Sequence, residues 1–93
     1  MADILVILAP GAEEIETVTV ADILVRAQQR VIVASTTGAP VVAGSRGLPL
    51  AAHGLLDHLA GREYDAIYLP GGMGSATTCR DDPRIQDLSL IHI

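Results

Sequence analysis

Three short runs of apolar residues, Ile4–Ala9, Val31–Ala34 and Ala66–Leu69, stand out along the chain. Each run is continuous and does not alternate with polar residues, which is typical of a strand buried on both faces of a parallel sheet. The first and third runs end abruptly at a Pro-Gly pair. The pattern therefore predicts three core strands of a mostly parallel sheet, the third spanning Asp65–Leu69.

The segment between the first two runs has a helical pattern that extends to about Gln28. With the flanking strands it predicts a β-α-β unit. Its apolar residues form a band broader than one contact with a sheet requires. This excess predicts a second covering, such as a partner subunit. The band consists of Ile15, Val18, Ala21 and Val25 on one face and of Val20, Ile23, Leu24 and Ala27 beside it.

The middle of the chain predicts smaller elements. Residues 41–44 and 48–51 are short apolar stretches separated by turn residues 45–47. They predict a hairpin at an edge of the fold, because Pro49 lacks the N–H that a central strand needs. A brief helix is predicted over residues 55–59.

A glycine turn follows the third strand. Pro70, Gly71 and Gly72 end the strand, and residues 75–78 have the composition of a helix start. This arrangement leaves backbone N–H groups directed at one point, which favours a phosphate, a carboxylate or a developing oxyanion there. Alternatively, the glycines only provide the positive φ of a tight turn. The residues alone leave both readings open.

Composition narrows the class of protein. The 93 residues, 49% hydrophobic and 18% charged, predict one small globular domain. A net charge of -5 and the absence of lysine argue against a nucleic-acid-binding surface. A single cysteine excludes an internal disulfide and fits a reducing compartment. Neither a basic leader nor an apolar run of membrane-spanning length is present, so we expect a cytoplasmic protein that does not bind membranes.

Several polar residues have ordinary structural explanations. Glu13, Glu14 and Glu16 complement the dipole at the start of the first helix. His53 and His58 lack acidic or cysteine partners at ligand spacing. They are predicted to be surface residues, and no metal site is assigned.

Three motifs, in this order, resemble the ThiJ/PfpI (DJ-one) family: LVILAPGAEEIETV at residues 5–18, GSRG at residues 44–47 and YDAIYLPGG at residues 64–72. The resemblance extends from about Asp3 to Asp87. It is stronger to small bacterial and eukaryotic members near the Parkinsonism-associated protein deglycase than to the intracellular protease branch. It implies a flavodoxin-like three-layer α/β sandwich, homodimeric through the first helix and truncated here after about three core strands.

The resemblance implies a cysteine nucleophile on a strained strand-to-helix turn. Glu16 stands where the family has the glutamate that hydrogen-bonds the sulfur. Gly71 and Gly72 stand at the backbone donors to the oxyanion, with Gly72 favoured. Arg46 matches an arginine near the substrate site and the dimer contact. The implied activities are glyoxalase or deglycase action on small carbonyl compounds or glycated proteins, protein repair and a role in oxidative stress; no metal or organic cofactor is implied.

The nucleophile itself is not among the 93 residues. In the family its Ala-x-Cys-Ala motif comes later in the chain than this sequence extends. Cys79 lacks those flanking residues and is interpreted as a structural or adventitiously oxidised thiol. We therefore expect the chain as given to be inactive and its full-length parent to be the enzyme.

The end of the chain predicts a division into two parts. Asp82 and Pro83 have the pattern of a helix start, but one turn later the sequence changes to LSLIHI at residues 88–93. This stretch can be encoded by CTG TCT CTT ATA CAC ATC, a transposon end used to prepare sequencing libraries. We expect residues 1–87 to be the N-terminal half of the family domain and residues 88–93 to be a non-native, adapter-encoded tail.

Two alternatives remain open. A non-catalytic redox, stress or chaperone-like protein of the same fold would act through dimerisation and partner contacts. A glutamine amidotransferase-like half-domain also carries a Pro-Gly-Gly turn after a core strand, although the acidic segment Ala12–Glu16 favours the ThiJ/PfpI family.

Overall fold

The computed structural model describes residues 1–72 and 82–86. These residues contain six strands and three helices. In chain order the elements are β1 (Asp3–Leu8), α1 (Glu14–Arg26), β2 (Arg30–Ser35), β3 (Val41–Ala43), β4 (Pro49–Ala51), β5 (Gly54–Leu55), α2 (Leu56–Leu59), β6 (Ala66–Tyr68) and α3 (Pro83–Gln86).

Four strands form one parallel sheet in the order β5-β2-β1-β6. β1 lies inside the sheet and pairs along its whole length with β2, from Asp3 opposite Arg30 to Leu8 opposite Ser35. Its other side pairs with β6. The three predicted core strands are confirmed. The sequence pattern does not predict β5, because a strand of two residues has no periodicity to detect.

Both faces of this sheet are covered, as expected for a three-layer sandwich. Successive side chains of β1 point to opposite faces. Leu5 packs in a buried cluster with Leu56 of α2 and Ile85 of α3. Val6 belongs to a second cluster that includes Val42 of β3. The predicted α/β class with a parallel sheet is thus confirmed for the described residues.

Helix α1 leaves part of its apolar band uncovered. It follows the N-cap Glu13, whose carboxylate accepts the N–H of Ile15 at 3.2 Å, and ends at Arg26, slightly before the predicted end. Its inward face includes the buried Thr17 and the half-buried Leu24. The Ile15 side chain is 72% exposed. The excess apolar surface is present, and its covering by a partner subunit remains a prediction.

The predicted hairpin is also present. β3 and β4 form a separate antiparallel pair with Ala43 opposite Pro49. The hairpin is joined to the loop between β1 and α1 by two backbone hydrogen bonds. Gly11 N–H donates to the Ala43 carbonyl at 3.0 Å, and Ser45 N–H donates to the Ala12 carbonyl at 2.8 Å.

Arg84 anchors α3, which begins at Pro83 as predicted. Its guanidinium donates to Asp57 of α2 at 2.6 Å, to the two carboxylate oxygens of Asp82 at 3.0 and 2.6 Å, and to the Thr36 carbonyl at 2.9 Å. The hydrogen bond from Arg84 is the main reason that the pKa of Asp82 lies below its usual value. This network ties α3 to α2 and to the end of β2.

Three sequence predictions lie outside the described residues: the helix start at residues 75–78, the interpretation of Cys79, and the tail at residues 88–93. Within the described part of the chain, no helix has the length and apolar character needed to cross a membrane.

Truncating the buried core should cost far more stability than truncating the surface. Leu5 is completely buried, and Leu5→Ala should lower the free energy of unfolding by about 2–5 kcal/mol. Leu48 is 56% exposed, and Leu48→Ala should change that free energy by less than about 1 kcal/mol. Urea denaturation of the full-length protein measures both, and equal losses would contradict the central position of β1.

Candidate functional site

The carboxyl ends of β1 and β6 meet the start of α1 at one edge of the sheet. The two strands are parallel neighbours, so the loops that follow them leave the sheet on the same side. Glu13 N–H donates to the Gly71 carbonyl at 2.8 Å and joins these loops. The structure thus brings together the two segments that contain Glu16, Gly71 and Gly72.

Glu16 and Gly71 lie in close contact. Glu16 is in the first turn of α1. A Cβ atom placed on Gly71 would lie 2.9 Å from each carboxylate oxygen of Glu16. Such a separation is too short for a real side-chain carbon, so the Glu16 carboxylate occupies this position only because residue 71 is glycine.

Gly72 has a backbone conformation that few other residues adopt. Its φ is +115°, and a Cβ atom there would collide with the carbonyl oxygen of Gly11. The peptide bonds are trans, so the Gly72 N–H points opposite to the Gly71 carbonyl and away from Glu13. Among residues 1–72 and 82–86, no hydrogen bond uses the N–H of Gly71 or Gly72.

Tyr68 connects β6 with the first turn of α1. Its side chain is 6% exposed, and its hydroxyl donates to the backbone carbonyl of Glu16 at 3.4 Å. Burial, and then the negative charge of Glu16, raise the pKa of Tyr68 above its usual value. The hydroxyl therefore remains a donor at neutral pH. The sequence pattern predicts only that Tyr68 lies in a strand.

Glu14 supplies the buried carboxylate of this region, with 7% of the residue exposed. One oxygen accepts the Ser45 hydroxyl at 3.0 Å, and the other accepts the backbone N–H of Arg46 at 2.8 Å and of Leu48 at 3.3 Å. Burial alone would raise the pKa of this carboxyl. The hydrogen bonds, including one from its own backbone N–H, hold the pKa of Glu14 below its usual value.

From the sequence, the only role predicted for Glu14 is to complement the helix dipole. The helical spacing could have predicted that Glu14 is buried. Glu14 precedes Thr17 by three positions and Ala21 by seven, which places it on the inward face of α1. The structure also explains why residue 44 is a glycine. A Cβ atom there would overlap the Glu14 side chain.

Arg46 lies in the turn between β3 and β4, with its side chain exposed. The structure brings its backbone to the start of α1 through the hydrogen bond to Glu14. Within the described residues, no hydrogen bond or ion pair involves its guanidinium. The positive charge is therefore available to an anionic group near this edge of the sheet.

His53 and His58 are surface residues, as predicted. His53 accepts the N–H of Val33 at its Nδ1 atom, at 2.9 Å. In the part of the chain that the structure describes, no group of three His, Cys, Asp or Glu residues is arranged to hold a metal ion.

Comparison with known proteins gives a consistent result. Residues 2–89 match the model of the DJ-1/PfpI family. The chain is 39% identical over 84 residues to Protein dj-1beta of Drosophila melanogaster, covering 90% of this chain and 45% of that protein. It is 45% identical over 73 residues to Protein DJ-1 homolog B of Arabidopsis thaliana, covering 78% of this chain and 17% of that protein.

A solved structure agrees with the sequence relatives. Oxidized DJ-1 of Toxoplasma gondii superposes with a TM-score of 0.88 at 39% identity, covering 91% of this chain and 46% of that one. The chain therefore spans less than half the length of each of these three relatives.

A side chain at residue 44 should displace Glu14. Gly44→Ala should lower the free energy of unfolding by about 1–3 kcal/mol, because the added carbon overlaps a buried carboxylate. Gly38→Ala is the matched control, since a Cβ atom at Gly38 meets nothing within 4 Å. Thermal or urea unfolding of the full-length protein measures both variants. Equal stability of the two would show that the hairpin does not pack on Glu14 as described.

The lowered pKa of Glu14 should make stability depend on pH. A carboxyl with a lower pKa in the folded state contributes stability above its ordinary value of 4.5 and loses it as the pH falls through the folded value. The stability difference between wild type and Glu14→Gln should be constant above about pH 6 and shrink below about pH 4.5. Denaturation curves across this range measure it. A difference that grows on acidification would contradict the direction of the shift.

Proposed function

The chain belongs to the DJ-1/PfpI family, and on this premise we propose that it is the N-terminal part of a cofactor-free, cysteine-dependent enzyme. The proposed substrates are reactive carbonyl compounds or their adducts on proteins. The nucleophilic cysteine lies in the part of the parent that this chain does not contain, so the chain alone is inactive. In this proposal the parent is a cytoplasmic protein of the oxidative-stress response.

The observation that carries the proposal is the contact of Glu16 with Gly71, next to Gly72, whose N–H makes no hydrogen bond among the described residues. A carboxylate close to backbone N–H donors can assist the addition of a thiol to a carbonyl group. A C–S bond forms, the carbonyl π bond breaks, and its electron pair moves to the oxygen. Backbone N–H groups stabilise such an oxyanion without reorganisation.

The proposed role of Glu16 is to hydrogen-bond the sulfur and to hold or return its proton. A carboxylate beside a thiol has to share a proton with it, which favours general acid–base work at one site. Gly72, with Gly71, supplies the oxyanion donors, and Arg46 binds the substrate by donating hydrogen bonds from its guanidinium to a carbonyl oxygen. With methylglyoxal and water the overall product is lactate.

A second candidate is a non-catalytic redox, stress or chaperone-like protein. The exposed apolar residues of α1 favour it, because a surface of this kind is suited to partner contacts. Members of the family are commonly dimeric, and we propose that the parent dimerises through α1. The family match also favours both candidates over the glutamine amidotransferase alternative.

Glu16→Gln tests the enzymatic proposal in the full-length parent. The variant keeps the size of the side chain but removes its proton-accepting carboxylate. We expect kcat/KM for methylglyoxal to fall by about 10²- to 10⁴-fold. Glu63→Gln, on an exposed residue away from the site, should leave turnover unchanged. Turnover by Glu16→Gln at the wild-type rate would exclude the proposed role, and an inactive wild type would favour the non-catalytic candidate.

Gly71→Ala tests the contact itself. The added carbon should push aside the Glu16 carboxylate, which is the mobile end of a side chain, so stability should change by less than about 1 kcal/mol. Turnover should fall by at least about tenfold, because a misplaced catalytic group loses most of its effect. Steady-state kinetics and thermal unfolding of the same preparation separate the two effects. Unaltered turnover would mean that the position of Glu16 over Gly71 is not required.

A further inference from the structure

We propose that Glu14 is a positioning residue that holds the turn between β3 and β4, and with it Arg46, against the start of α1. The inference rests on the proposed function, because Arg46 and Glu16 are site residues in that proposal. Glu14 itself touches neither the glycine turn nor any reacting group that the proposal names. Its action is indirect, through the turn that it binds.

Three donors of the turn converge on this one carboxylate. Ser45 donates its hydroxyl to one oxygen at 3.0 Å, while Arg46 and Leu48 donate their backbone N–H groups to the other at 2.8 and 3.3 Å. Hydrogen bonds to an ionised acceptor are shorter and stronger than neutral ones. The turn is therefore bound at three of its residues, and Arg46 is one of them.

The shape of the turn is adapted to the carboxylate. Gly47 has a φ of +81°, which lets the chain reverse between the two donor N–H groups. Gly44 N–H donates to the Leu48 carbonyl at 2.9 Å and closes the turn. The absence of a side chain on Gly44 lets the backbone rest directly on Glu14. Gly44, Gly47 and the Glu14 carboxylate together hold the turn in one conformation.

The first turn of α1 connects this anchor to the proposed site. Residues two positions apart on a helix point in nearly opposite directions. Glu14 accordingly binds the hairpin on one side, while Glu16 contacts Gly71 on the other. The backbone of a helical turn is rigid. The short segment from Glu14 to Glu16 therefore fixes the distance between the Arg46 backbone and the Glu16 carboxylate.

Packing against the sheet does not explain why residue 14 is a glutamate, since an apolar residue would pack there as well. Burying a charge has a desolvation cost that an apolar side chain avoids. An apolar residue would fill the inward face of α1 but would leave the N–H groups of Arg46 and Leu48 without their acceptor. Glu14 is suited to fixing where the turn lies, which is what an arginine at its tip needs in order to bind substrate in one position.

Amide hydrogen exchange tests the anchor without reference to activity. In the full-length protein, Glu14→Gln leaves one acceptor oxygen for three donors and no charge. Exchange at Arg46 and Leu48 should accelerate by at least about tenfold, with the amides of β1 unchanged. Ser45→Ala removes one exposed donor and leaves the fold intact, so a smaller acceleration at Arg46 is expected. Glu63→Gln should change none of these rates.

Steady-state kinetics test the consequence for the site. With methylglyoxal as the probe, Glu14→Gln should raise KM by about fivefold or more while kcat changes by less than about twofold, because substrate is held less well but Glu16 keeps its contact. Arg46→Ala should show the same split, and the double variant should be no worse than Arg46→Ala. This non-additivity distinguishes positioning of Arg46 from a general loss of stability.

The outcomes separate the two proposals. Unchanged exchange at Arg46 and Leu48 in both Glu14→Gln and Ser45→Ala would overturn the anchor. Accelerated exchange with additive kinetic effects of Glu14→Gln and Arg46→Ala would overturn the positioning of Arg46 while the proposed function stood. A wild-type parent without turnover would overturn the proposed function, and the exchange rates would still decide whether Glu14 holds the turn.

Discussion

The absence of side chains on three glycines is the constraint on which the rest of the site depends. Gly71 and Gly72 let the end of β6 approach the β1–α1 loop, and Gly44 lets the hairpin approach the first turn of α1. At each position a Cβ atom would fall on a carboxylate or on a carbonyl oxygen. Backbone and acidic side chains therefore lie at separations that no other residue would permit.

Three neighbouring acidic residues have different physical roles because their side chains point in different directions around the start of α1. Glu13 caps α1 and joins it through its backbone to Gly71. Glu14 faces inward, and its carboxylate accepts three hydrogen bonds from the hairpin. Glu16 faces the glycine turn, close to Tyr68. This short acidic segment thus contacts two separate parts of the fold, the hairpin and the chain after β6.

The sequence predicts the core strands and the glycine turn, but it does not predict the role of Glu14. The continuous apolar runs and the Pro-Gly pairs identify the strands and the turn, because burial on both faces needs apolar residues at every position. The family motif predicts that Glu16 and Gly71 belong to one site, and their contact is seen only in the structure. The role of Glu14 is not predicted, because it depends on contacts with residues more than thirty positions away, which periodicity within one helix cannot reveal.

Half of the proposed reaction site lies on this chain, and the most direct test is to read the genomic DNA downstream of the codon for Asp87. We expect the frame to continue into a strand that ends in an Ala-x-Cys-Ala motif, which would supply the nucleophile opposite Glu16 and Gly72. The codons for residues 88–93 would then be absent from the genome. A frame that ends at Ile93 in the genome would contradict the account and leave this edge of the sheet without a reacting group.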